Sequence, residues 1–306
     1  MNVRHLEFFV AVAREGHFGR AAAACHVSQP ALSMALRRLE AELGTRLVER
    51  GTGGTVGLTD AGAALIDRAR LVVRGVEDVR SAASALQGRL TATLRLGTVP
   101  TAVTAVARLT APLLREHPGV RIRIRTAPTD VLSAQILRRE LDAAMLYGDR
   151  PRGELAYRPL YRERLLFAEA ADAAPVPGNE TTIDWRAVAE HELCLLVPEM
   201  QHRTIVDDAL EQAGAIARAR VETDSFVSLL GFVRQGWPTV IGHPWLLAPQ
   251  GTGALRTREI VGPSLAPTIA LATASGQSTP AVRALLTSLA GRAAEDLDPA
   301  PQRPGS

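Results

Sequence analysis

Ser28, Gln29 and Ser33, set around Pro30, crowd short or forked polar side chains into one stretch of sequence, and Arg37 follows Ser33 one turn later. If that stretch opens a helix, Ser28 caps it, Pro30 fits its first turn, and Gln29 and Ser33 face outward. A glutamine amide at such a helix end can pair bidentately with an adenine edge in a major groove. Ser33 can reach a base or a phosphate, and Arg37 suits the phosphate backbone. The same residues also describe an ordinary cap and a wet helix face. Arg50, beside a glycine-rich turn, is either a phosphate contact or a solvated turn charge.

A second set of polar residues recurs after short apolar runs: Thr98, Pro100 and Thr101, then Thr129, Tyr147, Gln201 with His202, and Ser225 with Phe226. Where strands end against helix starts, hydroxyls, amides and free N–H groups converge on a crevice suited to a small organic anion. Each threonine or serine alone can equally be a helix cap. His202 adds charge only at acidic pH.

Composition removes several chemistries. All 35 basic residues among the 306 are arginine, which excludes the P-loop lysine, Schiff-base catalysis and the kinase phosphate clamp. Residues 1–90 hold 12 Arg against 9 Asp and Glu, so the whole excess of +3 sits there, where a polyanion is the natural partner. The two cysteines, Cys25 and Cys194, make neither a disulfide framework nor a four-cysteine zinc site and read as structural thiols. The seven histidines show no metal-ligand spacing, so neither metal nor cofactor is expected. No Gly-x-Ser-x-Gly elbow points to a hydrolase, and an enzyme is not expected. The glycines of GTGGTVG miss the dinucleotide spacing because position 56 is valine, and a hairpin turn is the better reading. Glu7 and Glu15 interrupt the first apolar stretch and no run approaches a membrane span. A cytoplasmic protein without a membrane partner is expected.

The elements that must position these residues follow from periodicity. Residues 4–14, Phe18–Cys25 and a third segment from Ser28 to Gly44 read as three short helices. Arg46–Glu49 and Thr55–Leu58 read as strands around the turn RGTGG, completing a winged helix-turn-helix. From Thr59 to about Gln87 one long helix carries Leu65, Ala69, Val72, Val76, Val79, Ala83 and Leu86 at alternating spacings of four and three. That heptad seam predicts pairing with a second copy. Residues 92–293 alternate strand and helix, which predicts parallel sheets with covering helices. A departure near Glu163 and a return near Pro267 predict two lobes around a cleft. A solute-binding protein is the alternative from another class; it is disfavoured by residues 1–90 and the missing export signal.

The run AVAREGHFGRAAAACHVSQPALSMALRRLEAELGTRLVER, followed by LTDAG, resembles without gaps the DNA-binding domain of LysR-type transcriptional regulators. The resemblance implies an α + α/β chain: a winged helix-turn-helix (1–58), a long linker helix (59–88) and a two-lobed, periplasmic-binding-protein-like effector domain (92–293). Its lobes would be about 92–163 with 268–293, and about 164–267, followed by a disordered tail at 294–306. It implies double-stranded DNA as partner, contacted by Ser28, Gln29, Pro30, Ser33, Arg37 and Arg50. It also implies a small-molecule effector, a homodimer through the linker helix and a homotetramer. In the family, positions matching Thr98, Thr101, Thr129 and Gln201 line the inducer pocket. Departures are Met34, where family members carry a basic or polar residue, and a wing with only Arg50. Trp237-Pro238 and His243-Pro244, expected at the pocket wall, also depart. Family members that sense peroxide use a cysteine pair in this module, whereas Cys194 is alone in it.

Overall fold

The computed structural model describes residues 1–51, 55–149, 153–172, 181–242, 255–262, 266–276 and 278–290. The central turn 52–54, His243, Pro244 and the tail 294–306, on which expectations were placed, lie outside them. The chain divides into two compact units, the first built on Met1–Ala92 and the second on Thr93 onward.

In the first unit, helix α1 (Val3–Glu15) buries Leu6, Phe9 and Val12 and ends on Gly16, whose φ of 58° is the left-handed conformation glycine adopts cheaply. Helix α2 (Phe18–Ala24) starts on His17, whose ring nitrogen accepts from the amides of Gly19 and Arg20. Three consecutive turns of helix α3 (Gln29–Leu43) contribute Leu32, Ala35, Leu36 and Leu39 to the shared core. The wing is the antiparallel pair β1 (Val48–Arg50) and β2 (Val56–Leu58), starting slightly later than the sequence suggests. Glu40 anchors the wing to α3 by accepting from the amides of Leu47 (2.8 Å) and Val48 (3.3 Å).

Helix α4 (Asp60–Leu86) opens on Thr59, whose hydroxyl accepts from the Gly62 amide. Its first turns pack on the core through Gly62, Leu65, Ile66 and Ala69. Beyond them the expected seam is largely uncovered: Val72, Val79 and Leu86 are 43%, 69% and 90% exposed.

In the second unit, one sheet has the strand order β4-β3-β5-β13-β6, made from Val120–Thr126, Ala92–Thr98, Ala143–Tyr147, Thr268–Ala274 and Leu155–Arg162. β5 is buried along its whole length, as an unbroken apolar central strand should be. The arginine-rich β4 forms an edge, where charged side chains discourage further pairing. Helices α5 (Ala105–Glu116), α6 (Thr129–Leu137) and α10 (Pro280–Ala290) belong to the same lobe.

The other lobe holds β7 (Leu165–Ala170), β8 (Thr182–Asp184), β11 (Thr239–Gly242) and β12 (Leu255–Val261) in the order β11-β7-β12-β8. A separate parallel pair joins β9 (Glu192–Leu196) and β10 (Arg218–Thr223). Helices α7 (Trp185–Glu190), α8 (Gln201–Gln212) and α9 (Phe226–Arg234) complete this lobe. Glu169 lies opposite Arg256 across β7 and β12 and pairs with both Arg256 (2.8 Å) and Arg258 (3.0 Å), so its buried charge is compensated.

The sheets are mixed, which corrects the expectation of parallel ones. β3 runs parallel to β5, but β13 is antiparallel to β5 and β6, and β7 is antiparallel to β11 and β12. The physical reason is the double crossing between lobes. A strand returning from the second lobe enters the first sheet against the direction of the strand that left. The two crossings lie side by side, with the Glu163 amide donating to the Pro267 carbonyl at 2.8 Å.

Candidate functional site

At the amino end of α3, the Ser28 hydroxyl accepts from the Ala31 amide at 3.4 Å, and Pro30 sits in the first turn. Ser28, Gln29, Pro30, Met34, Arg37 and Arg38 are exposed, and Ser33 is half-buried. Phe18, Ser33, Leu36, Arg37, Glu40, Arg46 and Val48 line a groove of about 340 Å³ between α3 and the base of the wing. Sequence reasoning missed Arg46, which places a second guanidinium beside Arg37. Its signal was available, because it opens the first wing strand read from the sequence and stands two residues before β1. Arg50 ends β1, and its side chain lies outside what the structure describes.

The second site lies between the two lobes. Val99, Pro100, Thr101, Pro128, Thr129 and Tyr147 from the first lobe face Leu196, Met200, Gln201 and His202 from the second. The cavity volume is about 10 Å³, room for about one water, so the lobes are nearly closed on each other. Six of the nine expected residues meet there: Pro100, Thr101, Thr129, Tyr147, Gln201 and His202. The other three do not. The Thr98 hydroxyl is buried and donates to the Val99 carbonyl at 3.1 Å. Ser225 caps α9 by accepting from the Ser228 amide, and Phe226 packs in the apolar core with Leu196 and Met200. A strand-end rule selects helix caps as readily as ligand contacts, and this cap faces a core. Trp237 likewise packs edge-on to Phe232 (5.9 Å between centroids) within the lobe, and does not line the cavity.

Behind the wall lies a group that sequence reasoning missed. Tyr147 donates to Glu163 Oε2 at 2.7 Å, and Thr101 Oγ1 is 2.9 Å from the Tyr147 hydroxyl. Glu163 is completely buried at the crossing between β6 and β7. Burial pushes its pKa up to about 7, against the hydrogen bond from Tyr147 that stabilises the ionised form. Gly242 makes room for it, since a Cβ there would stand 2.2 Å from Glu163 Cδ. The signal was alternation: Tyr161, Glu163, Leu165 and Phe167 are buried, while Arg162 and Arg164 are exposed.

His202 is buried, and the loss of solvation pulls its pKa down to about 4 and keeps it neutral. Among the described residues its Nε2 and the Thr129 hydroxyl have no hydrogen-bond partner. Two unpaired polar atoms on the wall of one cavity are what a polar ligand would satisfy. Among the described residues no His, Cys, Asp or Glu cluster suits a metal, and no helix is long and apolar enough to cross a membrane. Cys194 is buried, and burial pushes its thiol up to about 11, far from the thiolate that redox chemistry needs.

Two family models match the chain. "Bacterial regulatory helix-turn-helix protein, lysR family" covers residues 3–63, and "LysR substrate binding domain" covers residues 87–294. The chain is 38% identical over 169 residues to the DNA-binding transcriptional dual regulator OxyR of Escherichia coli K12, a match spanning 55% of each chain. It therefore aligns with only about half the length of that relative. Against the nitrogen assimilation regulatory protein nac of Klebsiella aerogenes it is 30% identical over 301 residues, covering 95% of this chain and 96% of the relative. Among solved structures, a full-length OxyR variant from Pseudomonas aeruginosa superimposes with a TM-score of 0.73 at 27% identity, covering 96% of this chain and 99% of that one.

Proposed function

Because this chain belongs to the LysR family of bacterial transcriptional regulators, we propose that it reads DNA with the amino end of α3 and answers to a small molecule held between the lobes of its second unit. The observation that carries the reading is the exposed, capped start of α3, with Gln29 its first residue and the exposed Arg37 about two turns behind. Gln29 reads a base edge, while Ser33, Arg37, Arg46 and Arg50 hold phosphate, and Ser28 and Pro30 shape the helix end. Replacing Gln29 with Ala is expected to weaken binding to the DNA upstream of the protein's own coding region by about 1–3 kcal/mol, leaving random DNA nearly unaffected. A mobility-shift titration on both DNAs checks this. Equal loss on both would remove Gln29 as a base reader.

The division proposed is a reading head at 1–58, a linker helix at 59–88 and an effector domain at 92–293. The linker is read as a homodimer helix, with tetramers built from such dimers. In support, the face carrying Val72, Val79 and Leu86 is apolar and uncovered over several turns. A reading head with so small a charge excess also gains by doubling its phosphate contacts. Val79→Asp should therefore shift the protein toward smaller species and lower operator affinity by about tenfold or more. Light scattering that shows the wild-type mass, with operator binding intact, would rule out pairing through this face.

The effector site proposed is the cavity of Thr101, Thr129, Tyr147, Gln201 and His202, supported by its two unpartnered polar atoms. A ligand seated there touches both lobes and so biases how far they close. The role is regulatory rather than enzymatic, and its place is the cytoplasm, where a chromosome is within reach. Some relatives carry the name hydrogen peroxide-inducible genes activator. The deeply buried Cys194, alone in its unit, argues against a thiol-based peroxide response here.

A further inference from the structure

We propose that Glu163 sets the specificity of the cavity, making it select a small uncharged hydrogen-bond donor over an anion of the same shape. The inference rests on the cavity being the effector site. Glu163 does not line the cavity; it acts through two hydroxyls. The Tyr147 hydroxyl has one proton and donates it to Glu163 Oε2 at 2.7 Å. The 2.9 Å contact between Tyr147 and Thr101 is therefore made with the Thr101 proton. With that proton turned inward, Thr101 offers only lone pairs to the cavity, and a ligand must bring an N–H or O–H to meet them.

Charge points the same way. Among the described residues none that lines the cavity is cationic, and His202 stands neutral on the wall. The starts of α6 and α8 lie at the cavity through Thr129 and Gln201, and helix ends taken alone favour an anion. Each supplies a fraction of a charge. Above pH 7 the Glu163 carboxylate supplies a full charge one hydrogen bond behind Tyr147 of the wall, sealed from water, and outweighs them. Its seat is fixed from behind by the bare Cα of Gly242 and from beside by the Glu163 amide's bond to Pro267. At about 10 Å³, room for about one water, the cavity calls for the smallest probes that carry these groups.

Formate and formamide are the probes, nearly identical in shape and differing in charge and in donor capacity. Saturation transfer from the full-length protein to each formyl proton is measured in an equimolar mixture at pH 8, where Glu163 is ionised. The site's share is the signal lost in Thr129→Val. Wild type is expected to favour formamide by about tenfold. Glu163→Gln keeps the shape but removes the charge, and its amide can donate to the Tyr147 oxygen, freeing the hydroxyl protons to turn outward. The preference should then fall to about one. Glu163→Met, which neither donates nor accepts, is the second variant and should lose the preference as well. Formate favoured in wild type, or a preference unchanged in both variants, would overturn the inference. Failure of the underlying site looks different: neither probe would then distinguish wild type from Thr129→Val, and the inference would fall with the cavity.

Discussion

Gly62→Ala is expected to open the first unit, reducing amide protection in α1–α3 by about a hundredfold or more, a loss of at least about 3 kcal/mol. A Cβ at Gly62 would stand 2.0 Å from the Leu47 carbonyl oxygen, deep inside contact distance. Leu47 cannot retreat. Its amide donates to Glu40 at 2.8 Å, and its carbonyl accepts from the Thr59 amide at 3.1 Å. Relief therefore means breaking the tie between α3 and the wing or uncapping α4. Hydrogen exchange read peptide by peptide separates this from any change in the second unit. Wild-type protection in α1–α3 would show that the contact yields without cost. The motif LTDAG, noticed in the sequence only as part of a family pattern, thus has a mechanical reason: its glycine lets the long helix start against the backbone before the wing.

The first unit was readable because its signals are local. Helix starts at Ser28 and Thr59 and stops at Gly16 and Gly44 follow from cap chemistry within a few residues, and the observed ends agree. β4 and β5 are legible for the same reason, one by alternation and one as an apolar run. The strands β6, β7, β8 and β12 were not found. β6 reads LAYRPLYR, with a proline and two arginines, and becomes a strand only because β13 returns beside it. β8 is three residues long and gains its place from β12, far along the chain. Such pairings depend on partners that no local window contains.

The site divides along the same line. Thr101, Thr129, Tyr147, Gln201 and His202 were reachable because they follow apolar runs, where strands end and helices begin. Pro100–Ala102 forms a separate 3-10 turn and α5 begins only at Ala105, leaving Thr101 facing the cavity ahead of the α-helix. Glu163 stood in YRERLL, whose charges read as a solvated surface unless its alternation with Arg162 and Arg164 is followed. What buries it is a glycine on β11 and a proline on the returning crossing, neither visible from its neighbours.

Glu163 and His202 also predict an unusual dependence of stability on pH, with two opposed slopes in one unit. Glu163 has an ordinary value of 4.5 and is raised to about 7 in the fold. Between those values the folded chain holds a proton that the unfolded chain has released, so stability falls as pH rises. The loss is complete above pH 7 and amounts to about 3 kcal/mol, at 1.36 kcal/mol per unit. His202 goes the other way, lowered from 6.5 to about 4. Below pH 6.5 the unfolded chain gains a proton that the folded chain refuses, and stability falls by a similar amount as pH drops to about 4. From these two groups, the wild type should vary little between pH 4.5 and 6.5. Each variant exposes the slope left behind. Glu163→Gln should match wild type near pH 4 and exceed it by about 3 kcal/mol at pH 8. His202→Gln should match wild type at pH 8 and exceed it near pH 4. Urea unfolding followed by tryptophan fluorescence reports on this unit alone, because Trp185, Trp237 and Trp245 all belong to it. A constant offset between Glu163→Gln and wild type from pH 4 to pH 8 would mean that Glu163 keeps an ordinary carboxylate pKa, and that the seat between Tyr147 and Gly242 admits water.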